Sequence, residues 1–223
     1  MSAESTRELL RELASDLTPV KPLPRLRFVA AAVLLAWLAI GVGGIALEGL
    51  APTFWQTLAV PISAGGIFVG LLLAGLGGVL AALALAIPGR EPLARAGLAL
   101  GGAGVAIAAW VGFALVADSS LAWRLPRAGD LPCLLTALVI SLAPALALAW
   151  FSGRAAPFRP LALALAAAAG AAALGGSVAQ ACCGSDQAMH LLLAHALVPA
   201  LGVFVLTLPL LVAIRGSERS QNY

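Results

Sequence analysis

Leu58-Ala59-Val60-Pro61-Ile62-Ser63-Ala64-Gly65-Gly66-Ile67-Phe68-Val69-Gly70-Leu71-Leu72-Leu73-Ala74-Gly75-Leu76-Gly77-Gly78-Val79-Leu80-Ala81-Ala82-Leu83-Ala84-Leu85-Ala86-Ile87 runs for 30 residues without one ionisable side chain. A helix of about 20 apolar residues crosses the hydrocarbon core of a bilayer. Five further predominantly apolar runs fall at 28–46, 96–117, 132–151, 159–181 and 188–214. Hydrophobic residues make up 61% of the chain and charged residues 10%, against about 25% charged in soluble domains. The mean hydropathy of +1.02 agrees. The ten-residue alternating strands of an outer-membrane barrel do not occur. The reading is therefore all-α: a polytopic membrane protein with a six-transmembrane-helix bundle and a short N-terminal amphipathic helix.

Three regions follow from this pattern: a helix and Pro-rich linker at 1–27, the membrane domain at 28–214, and a tail at 215–223. The second and sixth spans are long enough to tilt or to extend beyond the core. Gly and Ala fill the spans, as in Gly41-Val42-Gly43-Gly44 and Gly75-Leu76-Gly77-Gly78. Small residues let helices approach closely in lipid, which predicts a tight bundle. Glu48, Asp118 and Asp186 fall at span ends, so no acid lies along a membrane pathway. That argues against an ion-coupled transporter.

At the N-terminus, Leu9, Leu10, Leu13 and Leu17 recur at helical spacing and form one apolar stripe. Ser5 and Glu8 stand in the capping-box arrangement. Mixed charges cover the rest, unlike the basic face of a membrane-lying helix. Such a stripe either packs on its own protein or docks in a partner's groove. Thr18-Pro19-Val20-Lys21-Pro22-Leu23-Pro24 follows, and its three prolines predict a stiff, extended linker. The acids and prolines of residues 1–27 do not resemble a secretory signal.

Basic residues orient the spans, because short cytoplasmic loops are enriched in Lys and Arg. Eleven of the 13 Lys and Arg residues fall on one side: Arg7, Arg11, Lys21, Arg25, Arg27, Arg90, Arg95, Arg154, Arg159, Arg215 and Arg219. Only Arg124 and Arg127 fall on the other. Both termini are expected to be cytoplasmic, with loops 118–131 and 182–187 outside. The basic sequence pI of about 9.1 then reflects topology, and no direct nucleic-acid partner is expected.

The polar island Cys182-Cys183-Gly184-Ser185-Asp186-Gln187-Ala188-Met189-His190, with His195 beyond it, holds two of the three cysteines and both histidines. The third, Cys133, lies at the outer edge of span four. All three cysteines then face an oxidising compartment, where disulfides persist. A bond from Cys133 to Cys182 or Cys183 is open if spans four and five are neighbours. Asp186 and His190 share a helix face if the sixth span begins near Ser185. A metal set of Cys133, Cys183 and His190 is compatible with the spacing but not diagnosed by it. There is no CxxC pair, phosphate loop, HExxH or Ser/His/Asp set.

These pieces resemble the NrsF-type membrane anti-sigma factors, six-span inner-membrane proteins of proteobacteria. The resemblance is carried by Leu10-Arg11-Glu12-Leu13-Ala14-Ser15-Asp16-Leu17-Thr18-Pro19-Val20, by Cys133 with Pro144 in the same span, and by Arg154-Ala155-Ala156-Pro157-Phe158-Arg159-Pro160. It ends with Cys183-Gly184-Ser185-Asp186 and Ala194-His195. Gly184 stands where the family often has Pro, Ala194 where it has Trp, and Cys182 is extra.

The resemblance implies a protein without turnover and without a cofactor. It would sequester an extracytoplasmic-function sigma factor at the cytoplasmic face through Leu9, Leu10, Leu13, Asp16, Leu17, Pro19 and Val20. It would release the factor on a signal, oxidative or metal-related, felt at Cys133, Cys182, Cys183, Asp186, His190 and His195. Cys183 is preferred to Cys182 as the partner of Cys133, because it keeps the three-residue spacing to Asp186. A membrane thiol oxidoreductase and a small-solute transporter are the competing classes. The sequence names neither the sigma factor nor the oligomeric state.

Overall fold

The computed structural model describes residues 3–15, 24–118, 131–155 and 157–219. Helix α1 spans Ala3–Ser15 and α2 spans Leu26–Glu48; a short α3 (Phe54–Leu58) precedes α4 (Ala64–Leu85). Then come α5 (Glu91–Asp118), α6 (Leu131–Ala155) and α7 (Pro160–Cys182). One turn of helix, α8 (Ala188–His190), leads into a π-helical turn at Leu191–Ala196 and on to α9 (Val198–Arg219). Among the described residues, six helices are long and apolar enough to cross a membrane, the sixth running from Ala188 to Gly216.

The run 58–87, read as one span, holds one spanning helix that starts later, at Ala64, after Leu58 has ended α3. Pro61 has no N–H to offer a continuing helix, and the chain restarts at Ser63. The Ser63 hydroxyl lies 2.7 Å from the Thr57 carbonyl and accepts from the Gly65 N–H at 3.1 Å, which caps α4. The N-terminal helix also departs from expectation. It begins at Ala3, so Ser5 lies inside α1 and is not its cap.

Two helices form the centre. The apolar windows of α4 and α7 are 67% and 78% buried inside the protein, against 17–33% for the other four spans. Their composition explains this, because neither carries a charge and both place glycine where a neighbour crosses. A β-carbon added at Gly78 would meet the Gly170 Cα at 2.5 Å, and one at Gly170 would meet the Gly78 carbonyl carbon at 2.8 Å. On another face of α4, a β-carbon at Gly70 would lie 2.7 Å from the Ala108 nitrogen of α5. One at Gly97 of α5 would lie 2.6 Å from the Ala81 nitrogen. Backbone-to-backbone contact of this kind supplies the dispersion that holds helices together in lipid.

The pairings make each span antiparallel to the next. Gly70 faces Ala108 while Ala81 faces Gly97, and Gly78 faces Gly170. Helix α2 runs parallel to α7. The Trp37 indole donates to the Leu174 carbonyl at 2.9 Å, and the Ala51 N–H donates to the Ala181 carbonyl at 3.0 Å. The loop after α2, the end of α7 and the start of α6 therefore share one end of the bundle. Leu26, where the first span begins, lies at the other. Large apolar side chains such as Phe28, Trp110, Leu146 and Phe204 are exposed, as a lipid-facing surface requires. Arg154 stacks over the Trp150 ring at 4.0 Å, an amphipathic pair suited to a membrane boundary.

The sixth span was expected to be one regular helix over 188–214. Instead the Leu197 N–H bonds the Leu192 carbonyl, five residues back, at 3.0 Å. Pro199 lies just beyond this turn and has no N–H for the His195 carbonyl four residues before it. The Leu192 carbonyl is taken five residues on, by the Leu197 N–H, and the turn is wider than an α-helix.

Candidate functional site

The structure gathers Cys133, Cys183, His190 and His195 into one group. One donor atom from each lies within 4.8 Å of all the others. Three elements deliver them. Cys133 sits in the first turn of α6, and Cys183 follows the last residue of α7. His190 and His195 flank the π-helical turn.

Each placement has a local cause. Cys183 leaves helical geometry, with φ −78° and ψ 116°, so the chain turns off the end of α7 there. Its N–H still bonds the Gln180 carbonyl at 3.3 Å. The adjacent Cys182 is the last helical residue and is not part of the group. Two residues five apart on an α-helix point roughly 140° away from each other. The π-helical turn removes that offset, and the Nε2 atoms of His190 and His195 come to 3.2 Å. Their rings meet edge to face at 5.1 Å. Cys183 Sγ lies 3.2 Å from the same His190 Nε2.

Both imidazoles are buried, His195 completely. The His195 Nδ1 atom has no hydrogen-bond partner among the described residues. The thiols are half-buried. Burial pushes the Cys183 thiol up, but the His190 and His195 imidazoles and the Ser185 backbone hold it below its ordinary value, at about 5. A cavity of about 230 Å³ opens beside Cys183, walled by Phe54, Ile62, Leu115, Gln180 and Asp186 among others. Of the four donor residues, Cys183 lines it.

The remaining candidates fall elsewhere. Asp186 lines the cavity but lies in the loop before α8, so it does not share a helix face with His190. The expected common face required a span beginning near Ser185, and it begins at Ala188. Leu9, Leu10 and Leu13 lie on α1. Asp16, Leu17, Pro19 and Val20 lie outside the described residues. His195 was missing from the ligand set read from spacing. A sequence signal beside it is Pro199, four residues on, which leaves the His195 carbonyl without its usual helical donor.

Against this geometry, the family described as NrsF, negative regulator of sigma F, matches residues 13–213. The chain belongs to the NrsF family. Its members carry the description of negative regulators of a sigma factor, which implies binding to such a factor. The NrsF match takes in Leu13 to Val20, five whole spans, the sixth as far as residue 213, and all four donor residues. Among curated proteins and among solved structures, comparison finds no match.

Proposed function

We propose that this chain is an inner-membrane anti-sigma factor that holds an extracytoplasmic-function sigma factor through residues 1–27 and releases it on a signal read at the Cys133–Cys183–His190–His195 cluster. The observation that carries the reading is the convergence of these four side chains at the bundle end opposite Leu26, in a chain of a sigma-regulator family. The split of eleven basic residues to two supports cytoplasmic termini and a periplasmic cluster. Helix α1 then meets the partner on the cytoplasmic side, with the leucine stripe as its docking face and the prolines of 18–24 as a spacer. Asp186 and Cys182 flank the cluster, and 28–214 acts as the sensor domain.

The coupling runs along the spans that bear the donors. Cys183 ends α7, the central helix, and α7 returns to the cytoplasmic face through the turn at 157–160. A change in how Cys183 is held alters the end of a helix that packs against α2, α4, α6 and α9. The test is copurification of tagged full-length chain from its native cell in mild detergent. A stoichiometric sigma factor is expected, and it is lost when residues 1–27 are deleted. Absence of any sigma factor, or retention without 1–27, overturns the reading.

A further inference from the structure

We propose that Cys133, Cys183, His190 and His195 are the four ligands of a tetrahedral site for a divalent transition-metal cation of the zinc class. The proposal deepens the sensing reading and rests on it for its biological consequence; the metal site itself rests on geometry.

The spacing fits first. Zinc binds thiolate sulfur at about 2.3 Å and imidazole nitrogen at about 2.0–2.1 Å. At tetrahedral angles those bond lengths put the ligand atoms about 3.3–3.8 Å apart. Here Cys183 Sγ and His195 Nε2 each stand 3.2 Å from His190 Nε2, and every pair falls within 4.8 Å. A cation at the centre needs only sub-ångström adjustments of side chains.

Proton accounting points the same way. His190 Nε2 faces Cys183 Sγ and His195 Nε2 at one distance. A ring nitrogen has either one proton or one in-plane lone pair. It can satisfy one of the two neighbours by hydrogen bonding, not both. A cation at the common focus accepts all the lone pairs at once.

Charge accounting agrees. An isolated ion buried at a membrane boundary is expensive. Two thiolates, two neutral imidazoles and a divalent cation sum to zero. Two sulfurs and two nitrogens also select the softer, tetrahedral cations over calcium or magnesium.

The backbone is shaped for it as well. The π-helical turn puts residues 190 and 195 on one face, and such turns recur at functional sites. A disulfide between Cys133 and Cys183 accounts for neither histidine. A cation joins the outer ends of three spans, α6, α7 and the helix that begins at Ala188. Its arrival or loss is a packing change at the end of the central helix.

The experiment uses the full chain in detergent, stripped with a chelator under reducing conditions and titrated with cobalt(II) alone. The expected result is one equivalent bound. It shows the intense visible absorption of four-coordinate cobalt and an ultraviolet thiolate charge-transfer band, and zinc displaces both. Cys133→Ser and Cys183→Ser each remove part of the charge-transfer band and weaken binding at least tenfold. His195→Ala loses the four-coordinate spectrum; where that variant fails to fold, Cys133→Ser, at a half-exposed position, decides alone. Cys182→Ser retains the spectrum. No stoichiometric cobalt, an octahedral spectrum, or binding undiminished in Cys133→Ser overturns the site. So does a loss in Cys182→Ser equal to that in Cys183→Ser. Sigma-factor retention is assayed on the same preparations. A chain that binds cobalt but no sigma factor upholds the site and overturns the regulatory reading. A chain that retains the factor and binds no metal does the reverse.

Discussion

Replacing Gly170 by Ala adds one methyl group where α7 crosses α4. The new β-carbon would stand 2.8 Å from the Gly78 carbonyl carbon, 2.8 Å from the Val79 nitrogen and 2.9 Å from the Gly78 Cα. All three are backbone atoms in a helix, so no side chain can rotate away. Carbon atoms rest at about 3.5–4.0 Å, so the two helices must part by roughly 1 Å. Overpacking of this kind costs about 1–3 kcal/mol. Against that, Ala favours a helix over Gly by about 0.8–1.0 kcal/mol. The net effect is a loss of up to about 2 kcal/mol. Gly102→Ala is the internal control. It lies in α5 with nothing within 4 Å of the added carbon, so it keeps the helical gain and has no clash. The two variants should differ by about 1–3 kcal/mol, with Gly170→Ala the less stable. Reversible unfolding in mixed micelles, followed by far-ultraviolet circular dichroism, reads the difference. Equal stabilities, or a Gly170→Ala variant above the wild type, would refute the close crossing and with it the central place of α7.

Leu13→Glu should release the sigma factor while the chain still inserts. A buried leucine contributes roughly 1.5–3 kcal/mol, so retention in a pull-down should fall at least tenfold; unchanged retention retires the α1 stripe. A periplasm-active reporter fused after Tyr223 should be silent, and activity would invert the topology with everything built on it. Trp37→Phe keeps an aromatic ring, smaller than the indole, and removes the N–H that reaches the Leu174 carbonyl across 137 residues. The Ser177 hydroxyl still donates to that carbonyl at 2.8 Å, so the expected cost is about 0.5–1 kcal/mol in the same unfolding assay. A loss several times larger would mean that the indole fills a gap as well as donating.

How far the sequence reached depended on the range of the physics involved. The six spans, their order and their approximate ends were legible because exclusion of charge from hydrocarbon acts on each segment alone. Runs such as 132–151 and 159–181 satisfy it without any neighbour. The charge asymmetry from which an orientation is proposed is likewise a local property of the loops. Helix α1 was visible in the leucine spacing, although its start at Ala3 was misjudged from Ser5. Which helices sit at the centre was not written in hydropathy, since α2 and α9 are as apolar as α4 and α7. It was decided by glycines meeting across helices, Gly78 against Gly170 and Gly97 against Ala81, and such a meeting involves two segments distant in the chain. The cluster shows the same division. The sequence supplied Cys133, Cys183 and His190 as residue types at one end of the bundle. Only the packing of α6 against α7 brought the sulfurs within reach, and only the π-helical turn ahead of Pro199 swung His195 onto the face of His190. A local backbone slip of one residue, just ahead of Pro199, completed a group of four that regular helical spacing would have kept apart.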